Sequence, residues 1–192
     1  MNNHSHFIVH KPYGTLSQFV NNQRKRKNKN LLGELHNFPE GTMSIGRLDE
    51  NSEGLLLLTT DGKVSNLVCS KKIEKEYFAQ VDGIITDEAV EQLTQGVEIG
   101  IRDKKYMTLP CKASRIHPAP YFSPSAKGIR SERHGPTSWV SVTLTEGKLR
   151  QVRKMTAAVG FPTLRLIRVR IGNEYLNNMA SGEVKEVEQF EI

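Results

Sequence analysis

The sequence predicts an α+β fold, and three observations carry that expectation. Leu55 to Leu58 is a continuous apolar run set between polar turns, as in a buried strand. Thr137 to Thr145 alternates, with Val140, Val142 and Leu144 on one face and Trp139, Ser141 and Thr143 on the other. Three further stretches carry helical spacing with start and stop signals. The chain shows no internal repeat and no linker between independent domains.

Phe7 to His10 reads as a short strand. It is ended by Lys11-Pro12-Tyr13-Gly14, because proline lacks a donor and glycine frees the next turn. Asn21 to Asn30 is a polar loop holding Arg24, Lys25, Arg26, Lys27 and Lys29 with no acid, so it is solvated and a possible polyanion contact. Leu55 to Thr60 is a buried strand, and Asp61 is placed to cap a helix running to about Cys69. A strand runs from Lys75 through Val81 and turns at Asp82-Gly83. Thr86 caps a helix from Asp87 to Gln95, whose first-turn acids suit the positive dipole end and whose exit suits Gly96. Residues 97–117 form short strands, and His117 to Pro136, with four prolines and two glycines, is a long surface loop. After the alternating strand, Glu146-Gly147-Lys148-Leu149 turns the chain into a helix from about Arg150 to Val159. Val152, Met155 and Val159 face inward there, beside an outer stripe of Arg150, Arg153, Lys154 and Ala157. Gly160 and Pro162 stop that helix, and Thr163 to Ile171 is a strand.

With 192 residues the chain suits one domain, or two small lobes sharing a core. No apolar run approaches membrane-spanning length, and the first residues lack the cationic start and apolar core of a signal peptide, so the expected location is the cytoplasm. Cys69 and Cys111 are too few and too far apart for a disulfide framework or a zinc site. His4 and His6 are close but a frayed terminus is a poor metal site, and His10, His36, His117 and His134 have no ligand-like spacing. The net charge of +6 favours polyanionic partners through counterion release. Seven cations fall between Glu146 and Arg170: Lys148, Arg150, Arg153, Lys154, Arg165, Arg168 and Arg170. Only Glu146 opposes them. The first four sit at one turn–helix junction and can form a compact phosphate-tracking patch.

Asp49 lies in a glycine-punctuated loop directly before the buried strand, so a rigid support presents its carboxylate. On residue type alone, aspartate there is turn chemistry. The wording around it says more. Gly46 to Gly62 resembles the GRLD-x-x-SEGLLLLT-x-DG signature of the RsuA-type pseudouridine synthases. Three other segments match that family in order: Lys11-Pro12-Tyr13-Gly14 its KPxG opening, Lys75-Glu76-Tyr77 its KxY segment, and Glu146 to Met155 its EG-(K/R)-x-(R/H)-QVR-(R/K)-M motif. Pro136 to Trp139 and Val159 to Arg168 look most like the branch of the family known as the E-type ribosomal pseudouridine synthases. Thr60 stands where asparagine is common, and the basic loop is longer than the family pattern.

The resemblance implies the pseudouridine synthase fold, a mixed and largely antiparallel sheet in two lobes with a central catalytic cleft. It implies a single catalytic domain over residues 1–192, without the N-terminal S4 RNA-binding domain of many relatives. The implied reaction isomerises a specific uridine in large-subunit (23S) ribosomal RNA, naked or in the assembling subunit, by a monomer using no cofactor and no metal. Asp49 would be the nucleophile, Tyr77 would stack on the uracil and assist proton transfer, and Arg153 would supply the cation that keeps Asp49 ionised. Lys11, Arg47, Lys148, Arg150 and Lys154 would contact RNA. Two rivals follow from the residues alone. A metal-dependent nuclease would need Asp49, Glu50, Glu53 and Asp61 to converge, although the apolar strand carries Asp61 to its far end. A non-catalytic RNA-binding or ribosome-assembly protein would not need Asp49 at all.

Overall fold

The computed structural model describes residues 4–20, 29–70, 73–125, 128–129 and 132–192. In chain order the first elements are β1 (His6–Lys11), β2 (Thr15–Leu16), β3 (Asn30–Leu31), β4 (Met43–Ile45), β5 (Glu53–Thr59) and α1 (Gly62–Ser70). Then come β6 (Lys75–Asp82), α2 (Asp87–Gln95), β7 (Glu98–Ile101), β8 (Lys104–Met107), β9 (Lys112–Ile116), β10 (Thr137–Leu144) and α3 (Gln151–Ala158). The last are β11 (Thr163–Ile171), β12 (Glu174–Tyr175) and β13 (Val184–Val187). The α+β expectation holds. The chain divides into two compact units, one of residues 1–73 and 168–192, the other of residues 74–167. No helix among the described residues is long and apolar enough to cross a membrane.

The first unit is built on β5. All seven of its residues are buried, and Leu55, Leu56, Leu57 and Leu58 have no exposed surface. Each leucine so buried stabilises the fold by about 2 kcal/mol relative to exposure. β1 lies antiparallel along β5, from His6 opposite Thr59 to Lys11 opposite Gly54. The other side of β1 is taken by β13, also antiparallel. Phe7, Val9, Leu56 and Leu58 share one cluster with Leu32, bordered by Phe19 and Phe38. Gly54 is required where it stands. Its φ is +105°, and a Cβ there would lie 2.3 Å from the Arg168 carbonyl oxygen. The expected cap on α1 is present: Asp61 Oδ1 accepts from the Lys63 N–H at 2.8 Å.

The second unit has the order β6–β10–β9, all antiparallel, with Tyr77 opposite Val142 and Trp139 opposite Ile116. Its core joins Val81, Val140, Val142 and Leu144 from the strands to Ala89 and Leu93 of α2 and to Val152 and Met155 of α3. Both faces of β10 are covered. Trp139 packs near Phe122, and the Ser141 hydroxyl donates to Glu76 Oε1 at 2.8 Å. α2 begins as its sequence requires, with Thr86 Oγ1 accepting from the Ala89 N–H at 3.2 Å. β7 and β8 form a separate hairpin, turned by Arg102 and Asp103, both at positive φ, as a tight two-residue turn demands. Among the described residues of the predicted surface loop after Ile116, Glu132–His134 form a short 3-10 helix, and Phe122 packs against Phe78 and Trp139.

Candidate active site

Asp49 belongs to the first unit and is half-buried on the loop between β4 and β5. Its two neighbours in sequence are both fastened. Buried Leu48 is gripped by Ser17, whose hydroxyl accepts from the Leu48 N–H at 3.0 Å and donates to the Leu48 carbonyl at 2.7 Å. The Glu50 carbonyl accepts from the Gly14 N–H at 2.8 Å, and the Asp49 carbonyl from the Ser52 N–H at 3.0 Å. The Glu50 carboxylate is paired with Lys29, the described cation of the basic loop. The other four, Arg24 to Lys27, lie outside the described residues.

Lys11 is where the structure departs from the sequence reading. A phosphate contact needs an exposed ammonium, but Lys11 has no exposed surface. Its Nζ donates to the carbonyls of Thr15 at 2.7 Å and Pro12 at 2.9 Å, with a longer reach to Glu50 at 3.4 Å. Burial pulls its pKa down from 10.5 to about 7. Glu53, Asp49 and Glu50 push the other way, and Arg168 adds to the lowering. The residue therefore ties the end of β1 to the loop that carries Asp49. Glu53 is buried as well, at 2% exposure. Arg47 is exposed, and its carbonyl lies 3.5 Å from a guanidinium nitrogen of Arg168.

Of the seven clustered cations, Arg165 and Arg168 are buried and Arg170 is half-buried. Arg168, 3% exposed, donates through Nε to the Leu55 carbonyl at 2.8 Å. Arg165 donates to the Ser123 carbonyl at 2.8 Å and lies over the Phe122 ring. Arg170 donates to the Gly172 carbonyl at 2.9 Å. Each of the three guanidiniums donates to a backbone carbonyl, as a charge withdrawn from water requires.

The other four cations sit at the start of α3 in the second unit, as their spacing predicted. Lys148, Leu149 and Arg150 are exposed, while Arg153 and Lys154 are half-buried. Arg153 reaches the Thr163 carbonyl at 3.4 Å, and Lys154 Nζ donates to the Gly100 carbonyl at 2.7 Å. Tyr77 is half-buried on β6 and packs against the core of its unit. The turn before α3 is braced by side chains that the sequence reading did not single out. Glu146 accepts from the Tyr106 hydroxyl at 2.6 Å, the Leu109 N–H at 2.9 Å and the Gln151 amide at 2.6 Å. Partial burial raises the Glu146 pKa, but those donors and Lys148 outweigh it and hold the carboxyl below its usual range.

Among the described residues no group of three or more histidine, cysteine or acidic side chains is placed to hold a metal ion. Of the four acids a nuclease would use, Asp61 is committed to the α1 cap and Glu50 to Lys29.

Residues 5–158 match the family model described as RNA pseudouridylate synthase. The chain belongs to the RNA pseudouridylate synthase family. A relative from Vibrio parahaemolyticus named ribosomal large subunit pseudouridine synthase E is 37% identical over 98% of this chain and 76% of its own length. One of the same name from Xanthomonas axonopodis pv. citri is 39% identical over 90% of this chain and 88% of its own. The fold likewise resembles a solved pseudouridylate synthase, with a TM-score of 0.75 and 24% identity over 97% of this chain and 71% of that one. As a pseudouridine synthase the protein is an isomerase, and the branch picked out by Pro136 to Trp139 and Val159 to Arg168 is the branch of these relatives.

Proposed function

We propose that this pseudouridine synthase isomerises a specific uridine of large-subunit ribosomal RNA, with Asp49 as the nucleophile. The observation that carries the proposal is the bracing of Asp49 on both sides, by Ser17 at Leu48 and by Gly14 at Glu50. Reactive groups need such rigid placement, because an error of about 1 Å costs roughly a hundredfold in rate. The large-subunit substrate rests on the names of the two relatives.

The target base leaves its stack so that the carboxylate can reach the sugar. Asp49 attacks C1′ as the bond from C1′ to N1 breaks, which divides one difficult displacement into two easier ones. The freed uracil rotates and its C5 attacks C1′, displacing the Asp49 carboxylate as the bond from Asp49 to C1′ breaks. C5 then loses its proton and N1 gains one, so the product is an isomer. Tyr77 stacks on the uracil and assists that proton transfer. Arg153 supplies a positive charge for the reaction. Arg47, Lys148, Arg150 and Lys154 hold the RNA backbone, and their charge gives binding its salt dependence. Such a substrate places the enzyme in the cytoplasm, where a monomer suffices.

The test maps pseudouridines in large-subunit ribosomal RNA from cells lacking this gene, complemented with wild type or Asp49→Asn. One site lost on deletion and restored only by wild type is the expected result. Rescue by both proteins would remove Asp49 from the chemistry, and no lost site would remove this substrate.

A further inference from the structure

Arg150 is exposed at the mouth of α3, and its backbone is unusual. It precedes the first helical residue at φ 53° and ψ 36°, in the left-handed region, with no side-chain hydrogen bond capping the helix. Arginine there is held against its own preference, and such a conformation persists only where the surroundings over-determine it. The surroundings do so here. Gln151, 4% exposed, donates its amide to Glu146 at 2.6 Å and accepts from the Lys148 N–H at 2.9 Å. The Gln151 N–H returns to the Lys148 carbonyl at 3.1 Å, closing the turn on itself. The β7–β8 hairpin then fastens this turn from outside. The Tyr106 hydroxyl donates to Glu146 at 2.6 Å, and the Lys148 ammonium lies 4.7 Å from the centre of the Tyr106 ring. Farther along α3, Lys154 is tied to the same hairpin at Gly100. The hairpin thus engages two of the four junction cations and leaves the Arg150 guanidinium displayed.

We propose that Tyr106 is a positioning residue for RNA binding: through Glu146 and Gln151 it holds Arg150 in the left-handed conformation from which its guanidinium meets a backbone phosphate. The inference rests on the RNA-modifying reading above and adds to it a residue outside the family motifs. Glu146 is the hub, since its two oxygens collect three donors from two separate segments, residues 106–109 and the start of α3. A carboxylate so placed is ionised at neutral pH, and it holds the Tyr106 hydroxyl protonated by raising its pKa.

The experiment is a double-mutant cycle on the full chain. Wild type, Tyr106→Phe, Arg150→Gly and the double variant are titrated with transcribed large-subunit ribosomal RNA at several salt concentrations. KM and kcat for pseudouridine formation are measured alongside. Phenylalanine keeps the ring beneath Lys148, and glycine suits the left-handed position, so the fold survives in each. Tyr106→Phe weakens RNA binding roughly fivefold, the loss of one charge-assisted hydrogen bond, and the change falls on KM more than on kcat. Arg150→Gly lowers the salt slope by about one phosphate contact, and Arg150→Lys restores that slope. In the Arg150→Gly background, Tyr106→Phe adds no further loss. Glu146→Gln probes the same brace independently and shows the same non-additivity. Equal costs of Tyr106→Phe in both backgrounds, or a fall in kcat with KM unchanged, would overturn the inference and leave the proposed function standing. A wild-type protein that neither binds nor modifies the transcript would overturn the proposed function itself.

Discussion

Ser17 and Leu48 exchange two hydrogen bonds through a single hydroxyl, which accepts from the Leu48 N–H and donates to its carbonyl. A side chain 31 positions away thus fixes the backbone immediately before Asp49. Ser17→Ala removes both bonds and leaves two backbone groups of a buried residue without that partner. The expected cost is about 2 kcal/mol of stability. The expected loss in kcat is roughly tenfold or more, since the loop no longer holds its angle. Denaturant unfolding and single-turnover kinetics read the two effects separately. An unchanged kcat would show that the grip is irrelevant to turnover.

Lys11 gives the first unit a pH dependence of definite sign. Its pKa is about 7 in the folded chain against 10.5 in the unfolded one. Between those values the unfolded state binds the extra proton, so stability rises with pH across that window by about 1.4 kcal/mol per unit at most. Below pH 7 both states carry the charge and this contribution disappears. Lys11→Met leaves the carbonyls of Pro12 and Thr15 without the ammonium and abolishes the titration. The stability gap between wild type and variant should therefore widen from pH 7 to pH 9. A constant gap would mean that the lysine titrates at its ordinary value.

Gly54→Ala tests the approach of β5 to Arg168. The added methyl would sit 2.3 Å from a backbone oxygen at a φ that alanine disfavours. The backbone must move to admit it, at a cost of roughly 3 kcal/mol. The loop carrying Asp49 runs straight into this strand, so turnover falls with stability. A variant that unfolds at the wild-type denaturant midpoint would show that β5 and β11 are not held this closely.

Tyr77→Phe keeps the aromatic face and the packing against Val142's strand while removing the hydroxyl. RNA affinity is expected within about twofold of wild type, because stacking needs only the ring. Turnover falls if the hydroxyl moves a proton. Complete loss of affinity would contradict the stacking role and assign Tyr77 to the core alone.

Much of this fold is legible in the residues themselves. The apolar run at Leu55, the alternation around Val140 and the caps at Asp61 and Thr86 each express a local preference, and each element stands where that preference puts it. The four family motifs are what single out Asp49, Tyr77 and the α3 junction for the proposed chemistry. Lys11 was misread because its charge says surface, while its burial follows from three carbonyls brought together by separate turns. Ser17 and Tyr106 carry no signal of their own, since each acts through a partner at least 31 positions away. The strands β2, β3, β4 and β12 are only two or three residues long, too short for any period to show. β13 is four residues and mostly charged at its centre, so only its pairing with β1 makes it a strand.

That pairing bears on how the protein comes into being. β1 lies between β5 and β13, and the His10 N–H donates to the Glu183 carbonyl, so residues near position 10 wait for partners near position 184. During synthesis the first strand leaves the ribosome with one edge open, a template for wrong partners until its true neighbour is made. Its terminal lysine is also what steadies the Asp49 loop, so a nascent chain halted before Val184 would carry every proposed catalytic residue and still lack a finished support for the first of them. Completion of that support is thereby deferred until β13 has been made and has closed the edge of β1.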